Sequence, residues 1–441
     1  MHFVTPFAFE CIFPFVNQFI VELGVVKDET DAGFYSGLIE SLFAIVQFIA
    51  VIPITRLADV IGRKPVLVTS TCGMGISLLL FSLSKSLRDL LLTRMLGGAF
   101  GGQLTLVRMI IMEISTRETL PFLFTLTAVF YRVGQILGQP VGGTLVHPEQ
   151  RWDWAKGWWA RHPFLLPCAV GCAYALFAAS IGLIFLKETL QREPKRTDEL
   201  QQSSSSSTLQ DDLSTPPKTT SRFLGFREHM NSQLYHLFFS NILMCGICEG
   251  LFALYPLFCY IPLSSGGLGL GPAAIGAHMS IRSAIALAVI MVYSPLQKRF
   301  GAAAIYQLSL FAYPVTFAFF PALNWLATQY GQDDWRFILA VGALFLVWST
   351  TGWAWAAITV LVSDHTPSKQ AVSSVNAVLS MTTILPQALG PAIGTACFSW
   401  AQGSNFFWLA TIIISLLASV QSLAINESEH DWREEDNKRI D

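Results

Sequence analysis

The feature that most constrains this chain is a series of apolar stretches, each about as long as a bilayer is thick. A helix needs about 20 mostly apolar residues to cross the hydrocarbon core. The sequence offers about twelve such stretches, near 3–24, 34–56, 66–84, 90–112, 121–146, 164–187, 235–262, 273–296, 302–324, 335–362, 370–400 and 406–424. Lipid cannot satisfy backbone N–H and C=O groups, so each stretch is expected to be a helix. The links are mostly short, as between antiparallel neighbours. Composition agrees: 13% of residues are charged, against roughly 25% in a soluble domain. That is too little charge to cover a water-facing surface. Thirty acidic against 28 basic residues give a net charge of −2, so no basic field attracts a nucleic acid. The eight cysteines lie almost wholly in apolar stretches and read as small hydrophobes rather than a disulfide framework. The expected fold is an all-α membrane protein.

One link differs from the rest. Residues 188–234 are polar, and a run of serines from Ser203 to Ser207 is followed by Asp211, Asp212, Pro216 and Pro217. Nothing there can bury a core, so a disordered spacer is expected, with a phosphorylated regulatory loop as the sharper alternative. The segment divides the chain into six spans over 1–187 and six over 235–424, followed by a tail at 425–441. With the linker inside, the inner segments hold about 17 Lys and Arg and the outer ones about six. Both termini and the linker are therefore expected to be cytoplasmic. The first stretch begins almost at Met1, with no charged leader region and no cleavage pattern, so no signal peptide is expected. A truncated N-terminus and a misassigned start both remain open readings.

Two signals recur between the halves. Gln139-Pro140-Val141-Gly142-Gly143 in span five is answered by Gly390-Pro391-Ala392-Ile393-Gly394 in span eleven. Ile61-Gly62-Arg63-Lys64 after span two is echoed by Lys298-Arg299-Phe300-Gly301 after span eight. Two pseudo-symmetric six-helix bundles that rock about a midplane site are the architecture this predicts.

The loop after span two reads Thr55-Arg56-Leu57-Ala58-Asp59-Val60-Ile61-Gly62-Arg63-Lys64-Pro65. It resembles the loop-two signature of the major facilitator superfamily, with Leu57, Asp59, Gly62, Arg63 and Lys64 in place. Thr55 replaces the usual first glycine and Val60 the usual arginine. The resemblance implies a conformational latch of Asp59, Gly62, Arg63 and Lys64, with Glu113 at the end of span four. In the family, Asp59's position faces the N-terminus of helix eleven. Arg94 with Gly97, Gly98, Gly101 and Gly102 looks like the family's helix-four motif. Gly134, Gly138, Pro140, Gly142 and Gly143 look like the helix-five motif of its proton-driven exporters, with Gln139 where a glycine normally precedes the proline. Small residues every fourth position also let two backbones approach closely. Gly390, Pro391 and Gly394 are read as packing residues for the same reason. Ser36-Gly37-Leu38-Ile39-Glu40-Ser41, Leu268-Gly269-Leu270-Gly271-Pro272 and Ser373-Ser374-Val375-Asn376 are similar to fungal multidrug-type members of the twelve-span drug–proton antiporter group. Relatives of that group include the plant zinc-induced facilitator-like proteins.

A charge at the bilayer centre costs about 2.5–3.5 kcal/mol on insertion scales, so each one should face a partner or the cavity. The charges expected inside spans are Glu10, Glu40, Arg94, Arg108, Arg132, Glu249 and Arg282. Glu40 and Glu249, one per half, are the leading proton-coupling candidates, followed by Glu10, with Arg94 as modulator. Arg132, His278, Arg282 and Asn376 are candidates for the substrate cavity, and His278 and Arg282 share a helix face. The competing reading for any of these is a structural ion pair. Arg94 and Arg108 are 14 residues apart, almost four helical turns, so both are expected near one face, with Arg108 near the cytoplasmic end, where it can snorkel.

Cys245-Gly246-Ile247-Cys248 has CxxC spacing but lies mid-span, and no metal site is expected. No cofactor is expected, and no phosphate-binding loop supports ATP-driven pumping. The tryptophans at 152, 154, 158 and 159 are read as an interfacial belt. The expected partners are a small-molecule substrate, protons and the bilayer, and the expected state is a monomer. The expected activity is export of small amphipathic compounds against proton entry at the plasma or vacuolar membrane. A facilitator or metal- or ion-linked transporter of the same fold is an alternative. So is a non-transporting membrane sensor or scaffold.

Overall fold

A computed structural model describes residues 3–26, 31–115, 119–189, 231–367, 372–401 and 404–427, and no strand occurs among them. The linker and tail expectations fall almost entirely outside these residues. Nine helical segments among the described residues are long and apolar enough to cross a membrane. The first, fifth and eleventh expected spans are outside that set. The fifth forms as helix α7 (Leu120–Thr144) and the eleventh as α16 (Val372–Trp400).

The first expected span is not one helix but two, α1 (Val4–Glu10) and α2 (Val16–Glu22). Pro14 lacks the N–H a continuous helix needs, and the chain crosses the break on Phe15 N–H and Val16 N–H to the Ile12 carbonyl. Phe13, placed in the break, reaches the other half and meets Phe252 edge-on at 5.1 Å. The second and third spans are α3 (Ala32–Ile61) and α4 (Arg63–Ser82). The fourth is broken into α5 (Leu87–Ala99) and α6 (Gln103–Ile114) at Phe100-Gly101-Gly102. The break interrupts the helical phase, so Arg94 is buried while Arg108 is exposed, correcting the expectation of one shared face. A short helix, α8 (Pro148–Arg151), precedes α9 (Leu165–Phe185), which completes the first half.

The second half contains α10 (Ser232–Tyr260), α11 (Pro272–Met291), α12 (Tyr293–Phe300), α13 (Ala302–Tyr330), α14 (Trp335–Thr350), α15 (Trp353–Asp364), α16 and α17 (Asn405–Ser422). Here the tenth span breaks at Thr351-Gly352. Each half has its own aromatic core, around Phe15, Phe81 and Phe164 in the first and Tyr255, Tyr306, Phe320 and Phe345 in the second.

The halves share a clasp that only the structure reveals. Gly62 (φ 123°) and Gly301 (φ 82°) turn the chain between adjacent spans in a backbone region that favours glycine. In the first half, Arg63 N–H and Lys64 N–H donate to the two Glu188 carboxylate oxygens at 2.8 and 3.2 Å. In the second, Ala303 N–H donates to Glu427 at 3.3 Å. Both glutamates thus place negative charge at a helix N-terminus, where free N–H groups await it. The interval separating the two glycines equals that separating the two glutamates, which fixes the register of the repeat.

The halves meet along α3 with α16 and α7 with α11. Gly33 lies against Leu257 and Ser399, Gly37 against Pro391, and Gly143 against Pro272. Ala392 N–H donates to Ser41 at 3.1 Å, and Ser280 donates to the Ile136 carbonyl at 2.8 Å. These contacts run from mid-depth to the face opposite Glu188 and the linker.

Candidate transport site

Between the halves lies a cavity of about 270 Å³. It is lined by Glu10 and Phe9 from α1, Tyr131, Arg132 and Gln135 from α7, and Cys248, Glu249 and Phe252 from α10. Arg282 comes from α11, Trp348 from α14, Trp355 from α15 and Gln387 from α16. Aromatic walls with a few convergent polar groups are the usual makeup of a small-molecule site. A larger groove of about 540 Å³ runs along α10, α16 and α17. Its walls are apolar, and Trp400 and Phe406 stand largely exposed there, as suits lipid contact.

The expected charges separate into three arrangements. Glu40 and Arg94 form a sealed pair, with one guanidinium nitrogen donating to both carboxylate oxygens at 2.7 and 2.6 Å. Arg94 also lies over the Phe43 ring at 4.7 Å and near Phe9 and Phe81. The pair's surroundings are the first bundle, between α3 and α5.

Glu10 sits in an amide network instead. Gln135 and Gln139 donate to its two oxygens, the latter at 2.9 Å. Arg132 donates to the Gln135 carbonyl at 2.8 Å, and Ser283 donates to the Gln139 carbonyl at 3.2 Å. The network therefore crosses from the first half into the second.

Glu249 and Arg282 face the cavity without an ion-pair partner among the described residues. Among the described residues, Glu249 accepts from Gln387 at 3.3 Å and has no cation within ion-pair distance. Arg282 stacks on Trp348 and Phe252, 4.4 and 5.0 Å from the ring centroids. Its Nε is buried without a hydrogen-bond partner. His278 is turned toward Tyr255 at 2.9 Å, behind the cavity wall. Asn376 is exposed on the linker-side part of α16.

The loop residues form a cluster at the linker face. Arg63 donates to Asp59 and, at 2.9 Å, to Glu113. Its charge is held by these two carboxylates. The facing N-terminus of helix eleven begins beside residues 368–371, which are outside the described set. Val60, where the family has arginine, is exposed.

The glycine motifs receive neighbouring backbones. A Cβ at Gly142 would strike the Cys11 carbonyl, and one at Gly138 would stand 2.6 Å from the Phe7 carbonyl. Gly134 receives Pro6, while Gly390 and Gly394 receive Gly246 and Gly250 on α10. Pro140 and Pro391 lie inside their helices between these glycines. Sequence reasoning noted Gln139 only as a departure from the motif and missed Gln135, Ser283 and Gln387. The substitution of a long amide for glycine was the available signal.

A model of the Major Facilitator Superfamily matches residues 1–266, and one of the MFS_1 like family matches 159–410. The chain belongs to the major facilitator superfamily. It is 27% identical to the major facilitator-type transporter psiT2 of Psilocybe cubensis, covering 96% of this chain and 88% of that protein. It is 30% identical to the efflux pump azaK of Aspergillus niger, covering 92% and 82%. The plant protein ZINC INDUCED FACILITATOR-LIKE 1 of Arabidopsis thaliana is 23% identical over 96% of this chain and 87% of its own. Among solved structures, a bacterial homologue of the human lysosomal transporter Spinster, inward-facing and unoccupied, superposes with a TM-score of 0.66 at 15% identity. It covers 97% of each chain. This superfamily member is a multi-pass membrane transporter, not an enzyme.

Proposed function

We propose that this transporter is a proton-coupled exporter of small amphipathic organic compounds that works by alternating access. The observation that carries the reading is the cavity between the halves. It holds a carboxylate, Glu249, and a guanidinium, Arg282, that among the described residues form no ion pair, set among aromatic walls. A group that is charged only part of the time is what a proton cycle needs, and a carboxylate with no permanent counter-ion can serve. Arg282 and the rings of Phe252, Trp348 and Trp355 suit flat, partly polar cargo.

The reading includes twelve spans, with the termini and linker cytoplasmic. The halves then touch on the outer side, and the cavity belongs to the inward-open state. In the proposed cycle, Glu249 releases its proton to the cytoplasm and cargo takes its place. The halves rock, cargo leaves outward, and a proton returns the carrier. The name of the efflux pump relative supports the outward direction.

The test is transport by the purified protein in proteoliposomes with an imposed pH gradient. Uphill accumulation that a protonophore abolishes is the expected result. Flux indifferent to the gradient would make the protein a facilitator, and binding without flux would make it a sensor.

A further inference from the structure

The cavity between the halves presents two opposite charges to a single guest. Glu249 on α10 and Arg282 on α11 both line it, and no salt bridge among the described residues joins them. Each has hydrogen-bonding capacity to spare. An ionised carboxylate can accept roughly four hydrogen bonds, and Glu249 receives Gln387 at 3.3 Å. A guanidinium carries a planar fork of N–H donors. Arg282 turns one toward Ser283 at 3.3 Å, and its Nε is buried without a partner. The other two charges of the cavity are already committed. Both Glu10 oxygens are taken by Gln135 and Gln139, and Arg132 donates to the Gln135 carbonyl at 2.8 Å. Glu10 and Arg132 thus answer each other through one amide, which leaves Glu249 and Arg282 on offer.

A guest with one charge satisfies only one of these two groups. A cation drawn to Glu249 stands in the field of Arg282, and an anion drawn to Arg282 stands in that of Glu249. Between low-dielectric walls that approach of like charges costs more than it does in water. A guest carrying both charges meets each with its opposite and adds no net charge to the cavity. Its charges belong at separate ends, because Glu249 and Arg282 lie beyond ion-pair reach of each other. Its body meets rings: Arg282 stacks on Phe252 and Trp348, and Trp355 lines the same space. A flat aromatic body suits such walls. At about 270 Å³ the cavity is small for a ligand site, which favours one ring over several.

We propose that the cargo is a small aromatic zwitterion, its ammonium received by Glu249 and its acid group by Arg282. The inference deepens the exporter reading and rests on it for the claim that the guest is cargo. It gives the exchange at Glu249 a chemical form: the ammonium is what takes the proton's place. Its own test reads binding and needs no gradient.

The test is a ligand-observed NMR titration of the full-length protein in lipid nanodiscs at neutral pH. The probes are 4-(aminomethyl)benzoate, which carries both charges, 4-methylbenzoate, which carries the acid alone, and 4-methylbenzylamine, which carries the ammonium alone. The zwitterion should bind about tenfold tighter than either analogue, the scale of one added hydrogen bond between charged groups. Glu249→Gln should lower its affinity to that of 4-methylbenzoate, and Arg282→Gln to that of 4-methylbenzylamine. A zwitterion that binds the wild type no tighter than its better analogue would overturn the proposal, and that comparison needs no variant to fold. So would an unchanged preference for the zwitterion in either folded variant. Preference for the zwitterion without proton-driven flux would defeat the exporter reading and leave this one standing. Proton-driven flux without that preference would do the reverse.

Discussion

Two pairs of buried charges, one in each half, are treated in opposite ways. In the first, Glu40 and Arg94 neutralise each other at hydrogen-bond distance inside a cage of phenylalanines. In the second, Glu249 and Arg282 line the same cavity, yet one rests on an amide and the other on rings. A buried pair neutralises its charges and holds helices in place, although Arg94 Nε, like Arg282 Nε, is buried without a hydrogen-bond partner. Charges left single in a low-dielectric wall remain available to a mobile proton or a ligand.

The largest effect expected from this contrast is at Glu249. Glu249→Gln should abolish uphill flux in proteoliposomes while the protein stays in the membrane at normal amounts. Glu40→Gln should act differently. It leaves the Arg94 guanidinium buried without its carboxylate, a loss of about 3–5 kcal/mol, read as a lower melting temperature in detergent. A stable Glu40→Gln protein that loses coupling alone would break the comparison and return Glu40 to the proton path.

Next in size is Arg282→Lys, which keeps the charge but loses the planar stack on Trp348 and Phe252. The expected outcome is roughly a tenfold rise in KM for cargo, the scale of a desolvated cation–π contact. An unchanged KM would show that Arg282 belongs with Arg94 as a structural charge.

The smallest effect concerns a third charge cluster, at the face opposite the linker. His147 bonds Glu22 through Nε2 and Glu149 through Nδ1, both at 2.9 Å, tying the end of α2 to the start of α8. The hydrogen bond to Glu22, with help from Glu149, raises the imidazole above its ordinary value. The tie therefore contributes fully below the unfolded histidine value and is lost as pH rises through the higher folded one. Partial solvent access limits it to about 0–1 kcal/mol. His147→Gln should flatten the fall in stability with rising pH, measured by melts across that window.

Much of the fold was legible because lipid imposes it: an apolar stretch of bilayer length has few alternatives to a helix. The breaks were less legible. Pro14 and the glycines at 101, 102 and 352 were visible as residues, but an apolar window averages over them. The latch cluster of Asp59, Arg63 and Glu113 could be expected from the loop motif. Glu188, its companion, could not, because its acid lies a whole bundle away along the chain. The same holds for Glu10: its partners Gln135 and Gln139 come from a helix that only tertiary packing brings alongside. Glu40 and Glu249 looked alike as sequence positions. Their difference is decided by whether an arginine happens to face them.

The paired clasps at Gly62–Glu188 and Gly301–Glu427 have a mechanical consequence. Each fastens the beginning of one span to the end of its own bundle, and neither reaches across to the other half. Such ties would resist bending of either bundle at its linker-side rim when a ligand binds. In the proposed rocking cycle the motion would instead be delivered to the seam along α3–α16 and α7–α11, as between two jaws that flex along the line on which they bite.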